Sequence, residues 1–247
     1  MLPELYHAHH SLEAEDLPFW LRLASESEGP ILELGCGTGR VALRLAQAGH
    51  TVFGLDRDHA MLAFFREQTP ETEKDRVKVF QADFRCYRLA QRFTLVLLPC
   101  NTYSTLDAEA RRAVLECAHK HLAPGGRLAV SMPNPVLLKR LPGRSEAELE
   151  VIFPHPVDGQ PVQVSSGWRR HGQQLLVTWH YDHLQPNGEV RRSTVEVAQN
   201  LEDCQTYLNE MQQAGFETLQ AFGDYDFSGY SHRSPNLILL ASTSQPG

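Results

Sequence analysis

Ile31-Leu32-Glu33-Leu34-Gly35-Cys36-Gly37-Thr38-Gly39-Arg40 starts as an apolar run and ends in three alternating glycines. Residues 40–48 then follow a helical period, with Val41, Leu45 and Ala48 on one stripe and Gly49 as the stop signal. A buried strand that bends through glycines into a helix exposes unpaired N–H groups and lets a ligand approach the backbone closely. The bend therefore reads as a ligand site on an α/β scaffold.

Outward from this stretch the same texture repeats. Strand-like runs at 51–55, 77–81, 93–98 and 127–132 alternate with longer helical patterns, as βαβ units of a mostly parallel sheet do. Their continuous apolarity implies helices on both faces. Asp58 is placed to cap a helix carrying Met61, Leu62 and Phe65, which Pro70 ends, and a further helix is expected from Asp107 to about Leu122. The glycines of LAPGG (122–126) break it. After Pro133 the chain becomes rich in Pro and Gly to about 161, and strand-like stretches follow at 161–170, 174–184 and 189–197. Asn187-Gly188 joins the last two as a tight hairpin. A helix over 201–214 and two strands at 216–222 and 236–241 complete the expectation of seven core strands, with an antiparallel β insert after the fifth.

Charge narrows the partners. With 23 Lys+Arg against 30 Asp+Glu the net charge is −7, which repels polyanions, so no nucleic-acid partner is expected. Arg169, Arg170, Arg191 and Arg192 fall on neighbouring strands and read as a solvated face. No apolar run is long enough to span a membrane, and the opening MLPELYHAHH lacks the features of a secretory signal, so a cytoplasmic protein is expected. The five cysteines (Cys36, Cys86, Cys100, Cys117, Cys204) include no CxxC and fit reduced thiols.

The ligand can be narrowed from side-chain chemistry. A dinucleotide fingerprint would place a third glycine where Arg40 stands, and no phosphate-loop lysine motif exists. Glu33 precedes the bend, Asp56 ends the second strand where ribose hydroxyls would lie, and Asp83 ends the third strand beside Phe84, an aromatic platform. Acceptors for an amine, two hydroxyls and an exocyclic amino group describe a cationic nucleoside rather than a polyphosphate.

ILELGCGTGR, the strand ending GLDRD, the QADF segment, FTLVLLPCNT and LAPGG, in that order across residues 16–132, resemble the successive motifs of class I S-adenosylmethionine-dependent methyltransferases of the small-molecule N- or O-methyltransferase type. The resemblance implies a Rossmann-like α/β fold with a seven-stranded, mostly parallel sheet flanked by helices. It also implies S-adenosylmethionine as cofactor, S-adenosylhomocysteine as product, and in-line methyl transfer to a small acceptor. By the same resemblance Glu33 and the backbone of Gly35, Cys36, Gly37 and Gly39 hold the methionine part. Asp56 grips the ribose, Arg57 and Met61 flank the adenine, and Ala82, Asp83 and Phe84 receive its amino group and face. Pro99 or Cys100 offers a carbonyl to the cofactor's amine, while Asn101 and Tyr103 look into the acceptor pocket. The segment reads PCNTY where amino methyltransferases of nucleic acids carry Asn/Asp-Pro-Pro-aromatic, which argues against base methylation.

The implied organisation is a helical lid over 1–29, the core over 30–135 and 201–247, and an insert over 136–200 that either covers substrate or pairs protomers as a homodimer. The lid region holds Tyr6, a candidate to touch ligand, together with His7, His9, His10, Glu13, Glu15, Asp16 and Trp20. Its histidine run lacks fixed geometry, and no metal site is expected. In the insert, Trp179, Tyr181 and His183 alternate with His180 and Asp182 along one strand, and either set walls the pocket or faces solvent. Little acid–base apparatus is needed; His180, His183 or Tyr103 would take a proton from an amine acceptor. Two other readings share these residues: a nicotinamide-dependent oxidoreductase, since Asp56 also suits an NAD ribose, and a non-catalytic S-adenosylmethionine-binding regulatory module.

Overall fold

A computed structural model describes residues 3–12 and 14–244. Glu13 lies outside the described residues. Helices α1 (Pro3–Ser11) and α2 (Leu17–Ser25) lead into β1 (Ile31–Leu34), α3 (Arg40–Gln47), β2 (Val52–Asp56), α4 (His59–Gln68), β3 (Val77–Gln81), β4 (Phe93–Leu98), α5 (Ala108–His121) and β5 (Leu122–Pro133). Then come α6 (Pro135–Arg140), four long strands β6 (Glu148–Pro154), β7 (Pro161–His171), β8 (Gln174–Leu184) and β9 (Val190–Asn200), helix α7 (Cys204–Gln213), and the closing strands β10 (Thr218–Phe222) and β11 (Asn236–Ser242).

The main sheet has the order β10-β11-β5-β4-β1-β2-β3, and only β11 runs against the rest. The chain thus adopts a mixed α/β, Rossmann-like fold. Because β1 pairs with β2 on one side and β4 on the other, the strand order reverses there and a crevice opens at their carboxyl ends. Alternate residues divide the core between the two faces. Leu32, Leu34, Val96 and Leu98 pack with Val114 and Leu115 of α5 and Tyr207 of α7, while Ile31, Leu95 and Leu97 pack with Phe19 of α2, Val41 of α3 and Phe65 of α4. Asp58 caps α4 through the Ala60 and Met61 N–H groups, and Asp107 caps α5 through Ala110 N–H, as their positions in the sequence predict.

Three elements depart from the expectation. β3 is the sheet edge and mostly exposed, so its apolar run is covered on one side at most. β5 begins at Leu122, and the LAPGG stretch is its irregular first half rather than a free turn, with the register against β4 shifting between Phe93 and Leu95. The second sheet has four strands in the order β6-β7-β8-β9, all antiparallel, where three were expected. β6 and the short α6 sit in the Pro- and Gly-rich stretch and carry too little apolar period to be seen. Leu5 of α1 is buried against Phe153, Val162, Val164 and Tyr181 of this second sheet, so α1 bridges the two sheets.

Candidate active site

Gly35, Gly37 and Gly39 all have positive φ (72°, 53° and 83°), which the bend after β1 requires and which L side chains rarely adopt. Space demands glycine too: a methyl on Gly39 would lie 2.3 Å from the Phe65 ring, and one on Gly35 would lie 3.1 Å from Thr102 Cγ2. The bend is tied to β2 by Gly35 and Cys36 N–H groups donating to the Leu55 carbonyl. Asp56, at the tip of β2, accepts from Gly37 N–H at 2.8 Å and from Asp58 N–H at 2.9 Å. Each of its oxygens keeps a lone pair for a further donor.

Glu33 points to the α3 side of the sheet, 3% exposed, and its Oε2 has no partner among the described residues. Burial pushes its carboxyl up to about 8, against the nearby Arg40 guanidinium, which pulls it down. An orphaned buried carboxylate oxygen is costly unless a ligand donor meets it.

Arg40, where a dinucleotide loop would have glycine, reaches over the bend and donates to both Asp16 oxygens at 2.6 Å and also to Cys100 Sγ. Trp20 Nε1 donates to the same Asp16 at 2.8 Å. This clamp between α3 and the segment before α2 is not legible in the sequence, because residues 16 and 40 show no pattern that pairs them. The α1 helix lies across the glycines as well: Tyr6 approaches Gly37, and His7 Nδ1 is 3.0 Å from Thr38 Oγ1. Burial, then His9 and Arg40, push His10 down to about 4, and its neutral ring packs against Tyr6 at 4.2 Å with a 49° tilt.

The opposite wall is the end of β4. Cys100 and Asn101 are successive non-glycine residues with positive φ (56° and 66°), an arrangement costing roughly 1–3 kcal/mol each and held by bonds from both N–H groups to Ser131. Tyr6, His10, Glu15, Asn101, Pro133 and Tyr225 border the cleft between this turn and α1. Neither thiol at the bend, Cys36 or Cys100, is an activated nucleophile. Burial holds Cys36 well above its usual range, and the surrounding protein pushes Cys100 up to about 11 despite Arg40.

Phe84 reaches the Gly35 side of the bend, and Ala82 N–H donates to the Asp56 carbonyl, so the third-strand tip lies beside the other two. Asp83 is turned to Arg85, which contacts both of its oxygens. Met61 is buried at the start of α4, Pro99 is buried at the end of β4, and Arg57 is exposed beside Asp56.

Tyr103 is a correction. It is fully buried in the core with Tyr207, and its hydroxyl contacts Glu210 at 3.4 Å, because the single turn after Asn101 carries it under the sheet rather than into the cleft. Glu210 in turn holds the buried Arg111 through two bonds of 2.7 and 2.8 Å. His180 bonds Thr194 at 2.9 Å and points to the sheet face opposite Tyr181, away from α1. His183 faces the α1 side but contacts Asp158 instead of the cleft. The structure therefore gathers Glu33, the three glycines, Asp56, Phe84, Cys100 and Asn101, and leaves Tyr103, His180 and His183 outside.

Residues 31–126 match the family described as "Methyltransferase domain". Among curated proteins, the chain is 29% identical over 147 residues to "Cypemycin N-terminal methyltransferase" of Streptomyces sp, covering 59% of this chain and 57% of that protein. It is 31% identical over 119 residues to "dTDP-3-amino-3,6-dideoxy-alpha-D-glucopyranose N,N-dimethyltransferase" of Streptomyces fradiae, covering 48% and 45%. The chain thus spans about half the length of these two relatives. Among solved structures, the CcbJ methyltransferase from Streptomyces caelestis superposes with a TM-score of 0.77 at 23% identity, covering 94% of this chain and 90% of that one.

Proposed function

We propose that the chain is a class I S-adenosylmethionine-dependent methyltransferase and that it transfers a methyl group to the nitrogen of a small amine-bearing acceptor. The observation that carries the cofactor reading is the pairing of an orphaned buried Glu33 oxygen with a glycine bend that no side chain can fill. A cationic amine fits the first, and close backbone contact fits the second. Asp56, with lone pairs to spare, suits two ribose hydroxyls. Arg40 beside the bend suits the cofactor's carboxylate, and Phe84 suits the adenine face. The amine acceptor is supported by the two named relatives and by Glu15, whose carboxylate borders the cleft. No helix among the described residues is long and apolar enough to cross a membrane. The cysteines are all free, and we place the protein in the cytoplasm on that ground.

When bound, S-adenosylmethionine supplies a methyl on a positively charged sulfur, already activated for displacement. The chain's own contribution is alignment and exclusion of water. The rigid Cys100-Asn101 turn fixes one wall, and α1, held on Thr38 and on the second sheet, covers the other. Acceptor amines attack only when neutral, and among the described residues the histidine bordering the cleft is His10, whose depressed pKa leaves it neutral but too weak a base to retain the proton of an amine. Proton loss therefore goes to solvent before or after transfer, rather than to a dedicated base.

Calorimetric titration tests the site. S-Adenosylmethionine should bind and NADH should not, and Asp56→Ala should weaken binding about a hundredfold with the fold intact. Unchanged affinity in that variant would remove the reading. Release of S-adenosylhomocysteine with an amine library, but not with the corresponding alcohols, tests the acceptor.

A further inference from the structure

Three metal-donor side chains meet at the turn between β6 and β7. His155 follows β6, Asp158 lies in the turn, and His183 stands on β8 opposite Val162. His183 Nε2 and His155 Nδ1 lie 3.1 and 3.3 Å from the same carboxylate oxygen, Asp158 Oδ1. One donor atom from each residue lies within 4.8 Å of the other two. The imidazoles are stacked 4.0 Å apart and 2° from parallel. The three donor atoms thus share one small volume, and a common ion would require the two near-parallel rings to splay as it binds.

A second, independent feature points to the same place. Glu4 of α1 acts electrostatically on His155, and its Oε2 is buried with no hydrogen-bond partner among the described residues. A buried carboxylate oxygen left unpaired in the neighbourhood of His155 is destabilising unless a cation offsets it. The Gln185 side-chain amide nitrogen lies 3.0 Å from His183 Nδ1 and fixes the orientation of that ring.

We propose that His155, Asp158 and His183 bind a divalent transition-metal ion of the zinc type, with the Glu4 carboxylate facing it from α1. Two imidazole nitrogens with carboxylate oxygens form a donor set that suits zinc and disfavours magnesium and calcium. The expectation of no metal site rested on the His7–His10 region; these ligands instead follow an H-x-x-D spacing on a turn, with the second histidine 25 residues beyond the aspartate. Such an ion would join the turn, β8 and α1, and so stiffen the helix that carries Tyr6 over the glycine bend. The site does not depend on the methyl-transfer reading.

The test uses untagged full-length protein stripped by a chelator and dialysed against zinc chloride. Elemental analysis should find one zinc per chain, and cobalt in its place should give the visible absorption of a tetrahedral site. Asp158→Asn and His155→Ala, each singly, should weaken zinc binding on the order of tenfold to a hundredfold, while metal-free unfolding temperatures stay near that of the parent. A His9→Ala, His10→Ala double variant should keep zinc. Failure of the parent to bind zinc stoichiometrically overturns the proposal, as does retention of full affinity in both turn variants.

Discussion

Arg40 lays its guanidinium on both oxygens of Asp16, each contact 2.6 Å long, with the two side chains only 13% and 8% exposed. This pair joins the first helix of the βαβ core to the segment leading into α2, directly over the glycine bend. Removing one partner leaves the other charged and buried. Asp16→Asn should destabilise the protein by about 3 kcal/mol in denaturant titration and weaken S-adenosylmethionine binding together with it. Loss of neither would mean that the clamp is not sustained in solution.

Gly39 and Phe65 allow a cleaner separation of space from backbone. Gly39→Ala should destabilise by about 3 kcal/mol, because the new methyl meets the ring and φ stays at +83°. Adding Phe65→Leu should recover part of the loss, since only the steric share disappears. A double-mutant cycle with no coupling would place the whole cost in the backbone.

Glu33 gives stability a pH dependence whose sign is fixed by its direction of shift. Its folded carboxyl is raised from 4.5 to about 8, mainly by burial, so the fold favours the protonated form. The group's contribution is complete below the unfolded value and is lost as pH climbs through the folded one, at up to about 1.4 kcal/mol per pH unit between them. Glu33→Gln should remove that slope. Parallel stability curves for the two proteins from pH 5 to 9 would contradict the assignment.

Tyr103→Phe should leave kcat and acceptor KM near the parent values and cost about 1 kcal/mol of stability, because its hydroxyl serves Glu210 in the core. A large fall in kcat without loss of stability would return Tyr103 to the cleft.

Much of the fold is legible in the sequence because buried parallel strands and capped helices announce themselves locally. Asp58 and Asp107 cap as their positions predict, and the bend after β1 is written in its glycines. β6 is not legible: its burial is nearly all exposed, and it is a strand only because β7 lies beside it. At the candidate site, residues that act through the chain's own backbone turn, such as Glu33 and Asp56, could be placed from order alone. Arg40–Asp16 and His155–Asp158–His183 could not, since their members are brought together by packing between elements and leave no periodic trace. Tyr103 shows the reverse error: five residues after the strand end, one tight turn is enough to send a side chain to the wrong layer.

α1 is shared cladding. Leu5 is seated in the small sheet while Tyr6 and His7 rest on the nucleoside cradle, so the helix cannot peel from one without unseating or dragging the other. Any displacement of α1 that uncovers the glycine bend is therefore coupled to the packing of the small sheet.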